Sequence, residues 1–325
     1  MSGRLSYVLP IRSRPGDRDA EELTRYLEWV GERADLVIVD GSDPTGFQTH
    51  RERWSAFATH VAPADDIRCA NGKVRGVLTG LRVATEEVVV IADDDVRYDD
   101  HNLEHMGRLL DDADLVRPQN YFDPLPWHAR WDTARILLNR ALGSDFPGTL
   151  GVRRSFLRAI GGYDGDVLFE NLELIRTVTA AGGRIVDAPG LFVRRRPPTL
   201  ARFLEQRPRQ AYDDWAQPLR FALFLATGPA VAAAIARRPR GLVLAAGAAI
   251  LAAGLGRARN EGRHVFDRIS PLLAPLWITE RAVLAWVALI RRLGGRGCPY
   301  AGTVIRRAAS PPRVLRRRLH SLPAG

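Results

Sequence analysis

Up to about residue 200, short apolar runs alternate with amphipathic stretches. Leu5 to Leu9 forms a brief apolar run that ends at Pro10, and Leu36-Val37-Ile38-Val39 and Val88-Val89-Val90-Ile91-Ala92 are two more. Runs this short, β-branched and unbroken by polar positions predict strands covered on both faces. Between them, Asp17 to Arg33 sets Leu23, Tyr26, Leu27 and Val30 on one helical face. Phe47 to Thr59, carrying Trp54 and Phe57, and Val74 to Ala84, introduced by Asn71-Gly72-Lys73, predict two more helices. Strands and helices alternating at this length imply right-handed βαβ units, a parallel sheet and a nucleotide-binding α/β domain. Beyond it the pattern predicts a strand at Asp114–Arg117, a helix over Trp127–Leu142, and a loop or strand edge at Phe146–Gly151. A helix at Arg153–Ile160, a tight turn at Gly161-Gly162-Tyr163-Asp164, a helix over Phe169–Ala181 and short strands at Ile185-Val186 and Leu191-Phe192-Val193 complete this half.

After Gln217 the pattern changes. Leu219 to Ala236 and Gly241 to Gly256 are apolar and rich in Ala and Gly, and Arg237-Arg238-Pro239-Arg240 separates them. As a helix the second segment would be about 24 Å long, short of a hydrocarbon core of about 30 Å. An outward crossing would also put the arginine loop on the side that positive loops avoid. A shallow or re-entrant hairpin is expected, with a buried helical pair in a soluble domain as the other reading. Leu272 to Ile290 is a third apolar stretch, which Glu280 and Arg281 mark as interfacial or core. The chain thus divides into an α/β domain, residues 1–200, and a helical region, residues 201–325.

Charge sharpens this picture. The net charge is +10, and the excess sits late, at Arg306, Arg307, Arg313, Arg316, Arg317 and Arg318, which favours a tail at an anionic membrane face over a basic catalytic groove. No nucleic-acid reader motif accompanies it, so no nucleic-acid partner is expected. A hydrophobic share of 46% excludes a disordered chain. The two cysteines, Cys69 and Cys298, have no metal-ligand spacing and imply a reducing compartment, and no signal-peptide pattern is visible. Lys73 is the single lysine among 47 basic residues, a hint that a compact ammonium is needed there.

Candidate chemistry centres on Asp93-Asp94-Asp95, directly after the third apolar run. Ligands of open α/β sheets collect at the C-terminal ends of strands. Like charges packed there repel unless a cation joins them, and hard divalent ions such as Mg²⁺ or Mn²⁺ bridge carboxylates to diphosphates. An acidic turn that merely caps the helix starting near Asp99 is the other reading of the triplet.

With these positions in order, residues from about Leu5 to Arg196 resemble the family-2 glycosyltransferases of the GT-A fold. Val39-Asp40-Gly41-Ser42 looks like that family's strand-end motif, Gly72-Lys73 like its Gly-Lys segment, and Ala92-Asp93-Asp94-Asp95-Val96 like its aspartate motif. Gly161-Gly162-Tyr163-Asp164 followed by Phe169-Glu170-Asn171-Leu172-Glu173-Leu174 is similar to its Gly-Gly-Phe-Asp and Glu-Asp-x-x-Leu sequence. The resemblance implies that Asp40 contacts the nucleotide base, with Pro10, Gly41, Ser42, Lys73 and Asp94 also on the nucleotide-sugar side. Asp93 would contact the sugar nucleotide and share with Asp95 the holding of Mg²⁺ or Mn²⁺. The position of the family's base aspartate holds Asn171, whose amide cannot usefully take a proton. Glu170 is the expected substitute and Glu173 the alternative. Gln206 and Arg209 match part of the Gln-x-x-Arg-Trp motif of membrane-embedded members, with Gln210 at the Trp position, and suggest an interfacial helix at an acceptor site. Tyr300-Ala301-Gly302 is similar to a C-terminal segment of some membrane-associated members.

The expectation is therefore a metal-assisted, inverting glycosyltransferase that moves sugar from a UDP-type donor to a lipid or membrane-bound acceptor at the cytoplasmic face of a membrane. A retired nucleotide-sugar binder, motivated by Asn171, is the rival reading. A nucleic-acid-binding protein, motivated by charge alone, is the second.

Overall fold

The computed structural model describes residues 5–13, 20–237, 239–300 and 302–321. The first half runs β1 (Ser6–Ile11), α1 (Ala20–Gly31), β2 (Asp35–Asp40), α2 (Pro44–Trp54), β3 (Thr59–Val61), α3 (Gly72–Val83) and β4 (Val88–Ala92). There follow β5 (Val96–Arg97), α4 (Asp100–Leu110), β6 (Leu115–Phe122), α5 (Trp127–Leu142), β7 (Thr149–Arg153), α6 (Arg154–Ala159), α7 (Glu170–Ala180) and β8 (Ile185–Arg195). The part of the first expected helix that precedes Ala20, and Arg238 and Ala301, lie outside the described residues.

Eight strands form one sheet in the order β3-β2-β1-β4-β7-β6-β8-β5. The β3-β2-β1-β4 half is parallel, as the alternating pattern implied. The other half corrects the all-parallel expectation, because β7 runs antiparallel to both β4 and β6. Helices cover both faces, which explains the unbroken apolar runs. On β1, Tyr7 and Leu9 pack with Leu27, Val30 and Met106 on one face, whereas Val8 packs with Val77 and Leu81 on the other.

Two local readings change. The helix expected over Phe47–Thr59 ends at Trp54, and Thr59 instead begins edge strand β3. The two short strands around Val186 and Phe192 are one strand, β8, whose register against β6 shifts between Pro118 and Gln119. That irregularity bends β8, and its end pairs with β5 directly after the acidic triplet.

The chain continues with α8 (Leu200–Asp213), α9 (Pro218–Arg237), α10 (Pro239–Ala258), α11 (Ala274–Leu293), the small hairpin β9 (Cys298–Tyr300) and β10 (Thr303–Ile305), and α12 (Pro312–His320). Helices α9, α10 and α11 all belong to segments long and apolar enough to cross a membrane. The length argument against α10 does not stand: it has 20 residues, or about 30 Å, because Pro239 starts it and it runs past Gly256. Much of this apolar surface is uncovered, with Leu219 77% and Leu244 76% exposed. The C-terminal end of α10 is nonetheless tied to the α/β domain. Gly256 lies so close to α5 that a Cβ there would sit 1.9 Å from the Leu137 carbonyl oxygen, and Arg140 Nε donates to Gly256 O at 3.0 Å. The last segment also returns to the α/β domain. Leu168 and Phe169 donate backbone hydrogen bonds to Arg307 O and Ala308 O, at 2.9 and 2.8 Å.

Candidate active site

A cleft of about 1250 Å³ opens at the C-terminal end of the parallel strands and extends to α8 and β9. Its floor is the acidic triplet. Asp93 N donates to Gly148 O at 2.9 Å, so β7 closes the turn against β4. Gly148 lets the triplet and Arg195 come close, since a Cβ there would lie 2.8 Å from Asp93 Oδ2 and 3.0 Å from Arg195 Cζ and would push them aside.

Lys73 stands in the first turn of α3, where Asn71 caps the helix by accepting from Lys73 N at 3.0 Å. Its ammonium bridges Asp93 Oδ1 at 2.5 Å and Glu170 Oε1 at 2.9 Å. Burial would lower the lysine's pKa, but these two carboxylates raise it well above the ordinary value. The single lysine of the chain is thus the cation between two cleft acids. From the other side, Arg195 Nε donates to Asp95 Oδ1 and Oδ2 at 2.8 and 2.9 Å, and Nη2 to Asp93 Oδ2 at 3.3 Å. Burial raises the Asp93 pKa, but Lys73 and Arg195 outweigh it and leave it low. Asp95 goes the other way, pushed up to about 6 by burial and by the Asp93 and Asp94 charges, despite Arg195. The structure thus brings Lys73, Asp93, Asp94, Asp95, Glu170 and Asn171 together at the cleft wall, with Pro10 and Gly41 beside them.

Three expected site residues do not line the cleft. Asp40 has a fully buried side chain whose Oδ2 takes His50 Nδ1 at 2.6 Å and His60 Nε2 at 3.1 Å, while Oδ1 accepts from Ser42 N at 2.9 Å. Burial works to raise its pKa, but these hydrogen bonds bring it down to about 2. The carboxylate is thus held by His50 of α2, His60 of β3 and the loop at the end of β2. Ser42 serves the same loop, its Oγ accepting from Ser13 N at 2.8 Å. Glu173 is fully buried and accepts from Ser310 N at 2.6 Å, which docks the C-terminal segment. Burial raises its pKa.

Asn171 Nδ2 donates to Pro147 O at 2.8 Å and so fastens α7 to the loop before β7. Gln206 and Arg209 both line the far lobe, formed by α8 and β9, with the Arg209 guanidinium 4.6 Å from the centre of the Tyr300 ring. Residues that sequence reasoning missed join them. Arg195 was visible only as one of three consecutive arginines. Asp213, also in the far lobe, lies seven residues after Gln206 and four after Arg209, a spacing that shares one helical face. That periodicity was the available signal. No residue of the core motifs foretold His50 and His60, which meet Asp40 only through the packing of α2 and β3.

No protein-family model and no curated protein matches this chain. Among solved structures it is similar to the mannosyltransferase PcManGT from Pyrobaculum calidifontis in complex with GDP-Man and Mn²⁺, at 20% identity over 90% of this chain and 88% of that one, with a TM-score of 0.56. It is also similar to glucosyl-3-phosphoglycerate synthase from Mycobacterium tuberculosis in complex with Mn²⁺, UDP and phosphoglyceric acid, at 17% identity over 64% of this chain and 76% of that one, with a TM-score of 0.43. The fold is GT-A, a Rossmann-like mixed sheet with surrounding helices, followed by a helical C-terminal region with three apolar helices.

Proposed function

We propose that this cleft transfers a sugar from a nucleoside diphosphate donor, expected to be UDP-linked, to an acceptor carried at a membrane surface, with inversion at the anomeric carbon. The observation that carries the reading is the pairing of Asp93 and Asp95 at the end of β4 with Lys73 and Arg195. This is an arrangement of acids and cations suited to a diphosphate and its counterion. The likeness to a mannosyltransferase in complex with GDP-Man and Mn²⁺ supports it. The donor set is oxygen only, which suits Mg²⁺ or Mn²⁺. The raised pKa of Asp95 indicates that Arg195 does not fully offset its burial and the neighbouring Asp93 and Asp94 charges. Asp95, with Asp93, would hold the ion, which as a Lewis acid would stabilise the charge of the departing diphosphate. Lys73 holds Asp93 and Glu170 in position, and Pro10 and Gly41 line the donor side.

The uncovered apolar faces of α9 to α11 and the arginines of α12 support attachment to an anionic membrane, on its cytoplasmic face by the positive-inside tendency. A second reading, a nucleotide-sugar binder without transfer, is favoured by one observation only: the amide of Asn171 is spent on Pro147. Calorimetric titration of UDP and GDP with Mn²⁺ into the wild type and Asp95→Asn tests the donor site. Binding is expected in the wild type and should weaken at least tenfold in the variant. Equal affinity would remove Asp95 from the site, and absence of binding to both nucleotides would overturn the reading. Binding without any turnover would favour the retired protein.

A further inference from the structure

The far lobe of the cleft contains a carboxylate that the donor side does not use. Asp213 ends α8, and its Oδ1 is shut away from solvent without a hydrogen-bond partner. A buried carboxylate oxygen left in that condition is costly unless a donor comes to it. Asp213 shares its helical face with Gln206 and Arg209, and all three line the cleft. The charged and titratable groups that face it are Arg209 of its own helix, Glu170 of α7, Asp214 of the following turn, Arg281 of α11 and Cys298 of β9. None of them closes a hydrogen bond on Oδ1. Glu170, in contrast, has Oε1 held by the Lys73 ammonium at 2.9 Å, so that oxygen already has its partner.

Building on the sugar-transfer reading, we infer that Asp213 is the residue that receives the acceptor, and that the acceptor's nucleophile is a neutral hydroxyl. The hydroxyl donates its hydrogen bond to the Asp213 carboxylate from the cleft that this residue lines. As its oxygen forms the new bond to the anomeric carbon, the bond from that carbon to the diphosphate oxygen breaks and the electron pair leaves with the nucleoside diphosphate. The hydroxyl proton passes to Asp213, which later returns it to solvent. Burial, with Glu170 and Asp214 adding to it against Arg209 and Arg281, pushes this carboxyl up to about 7, a value suited to taking and releasing a proton near neutral pH. A phosphate nucleophile would bring negative charge against Asp213, so the same side chain favours hydroxyl acceptors over phosphate-terminated ones.

The test uses the full chain with Mn²⁺ and UDP-glucose or GDP-mannose as donor. Octyl glucoside and octyl mannoside serve as hydroxyl probes, and farnesyl phosphate as the phosphate probe. Donor hydrolysis, in which water stands for the acceptor hydroxyl, gives the same readout without an acceptor. Asp213→Asn, of equal size, should keep the melting temperature and nucleotide affinity of the wild type while turnover falls by roughly 10²–10⁴. The wild-type rate should rise with pH through about 7, and the variant should lose that limb. Formate should restore part of the turnover of Asp213→Ala and none to Glu170→Ala. Asp213→Asn turning over within threefold of the wild type, with nucleotide binding intact, would overturn the role of Asp213 and leave the sugar-transfer reading standing. Preference of the wild type for farnesyl phosphate would overturn the hydroxyl assignment. A wild type that binds neither nucleotide would overturn the reading itself, and this inference with it.

Discussion

Replacing Arg207 by methionine tests how the far wall of the cleft is held. Arg207 lies on α8 with its side chain only 4% exposed. Its Nε and Nη2 donate to Glu280 Oε1 and Oε2, both at 2.7 Å, and Nη1 donates to Asp132 Oδ1 and Gln210 Oε1, both at 2.9 Å. One guanidinium thus joins α8 to α5 and α11. Methionine replaces most of the apolar stem, so the loss is chiefly one of charge and hydrogen bonds. Asp132 keeps Arg135 at 3.1 Å, and Glu280 keeps only the Trp131 Nε1 bond at 2.6 Å among its side-chain donors described here. Removing one partner of a buried pair costs about 3–5 kcal/mol. Unfolding entropy near 2.1 cal/mol/K per residue gives roughly 0.7 kcal/mol/K for a chain of 325 residues, so the melting temperature should fall by about 4–7 °C. The Arg33–Asp100 pair is as short, at 2.6 Å, but its side chains are 31% and 68% exposed. Solvent screens that exposed pair, so Arg33→Met should shift the midpoint far less. Scanning fluorimetry of the full chain in detergent reads both. A shift for Arg207→Met no larger than that for Arg33→Met would refute the reasoning, because burial would then have made no difference.

Two further outcomes are expected. Glu173 has a raised pKa from burial, so its favourable contribution is present below the unfolded-state value near 4.5 and fades as pH rises through the folded value. Glu173→Gln keeps an acceptor for Ser310 N without the charge, and should raise the melting temperature at pH 7.5 relative to wild type but not at pH 4. A lower melting temperature at pH 7.5 would show that the charge is needed. The full chain should sediment with vesicles containing phosphatidylserine. Arg316 and Arg317, both exposed on α12, should contribute about 1 kcal/mol each, so changing both to glutamine should weaken binding by roughly thirtyfold. A wild-type chain that stays in the supernatant would refute the membrane reading.

Strands β1, β2 and β4 of the parallel half were legible because they are covered on both faces and apolar nearly throughout, whereas edge strand β3, with exposed Thr59, was not. The acidic triplet was legible for a related reason, since polar residues abutting a covered strand lie at its end, and Lys73 because it is the single lysine of the chain. What stayed hidden depends on contacts distant in sequence. The antiparallel insertion of β7 between β4 and β6 pairs residues distant in sequence, and no local period announces that. Asp40 matched a motif, yet its partners arrive from α2 and β3 and turn it inward. Glu173 looked like a helix-start acid facing a site. The return of the chain to Ser310, which a local reading cannot foresee, makes it a docking residue. Helix α10 was misjudged by its apolar run alone, because Pro239 starts the helix before that run and the residues tied to α5 extend it.

The acidic floor also explains why its cations come from such distant parts of the chain. Three successive carboxylates at one strand end cannot all be buried as charges unless positive groups meet them. Residues adjacent in sequence cannot supply these, since the strand before the triplet is core and β5 after it is already paired. Lys73 therefore comes from the first turn of α3, pinned by its Asn71 cap, and Arg195 from the far end of β8, which the shifted register against β6 carries beside β5. The two cations take the acids between them, Lys73 through Asp93 and Arg195 through both acids. Under the sugar-transfer reading, a diphosphate entering the cleft offers the same two groups a second set of oxygens. The arrangement that makes the acids tolerable in the fold is then the one that makes the cleft receptive to the donor. That is why Lys73, Asp93, Asp95 and Arg195 behave as one charge-balanced unit and not as separate motifs.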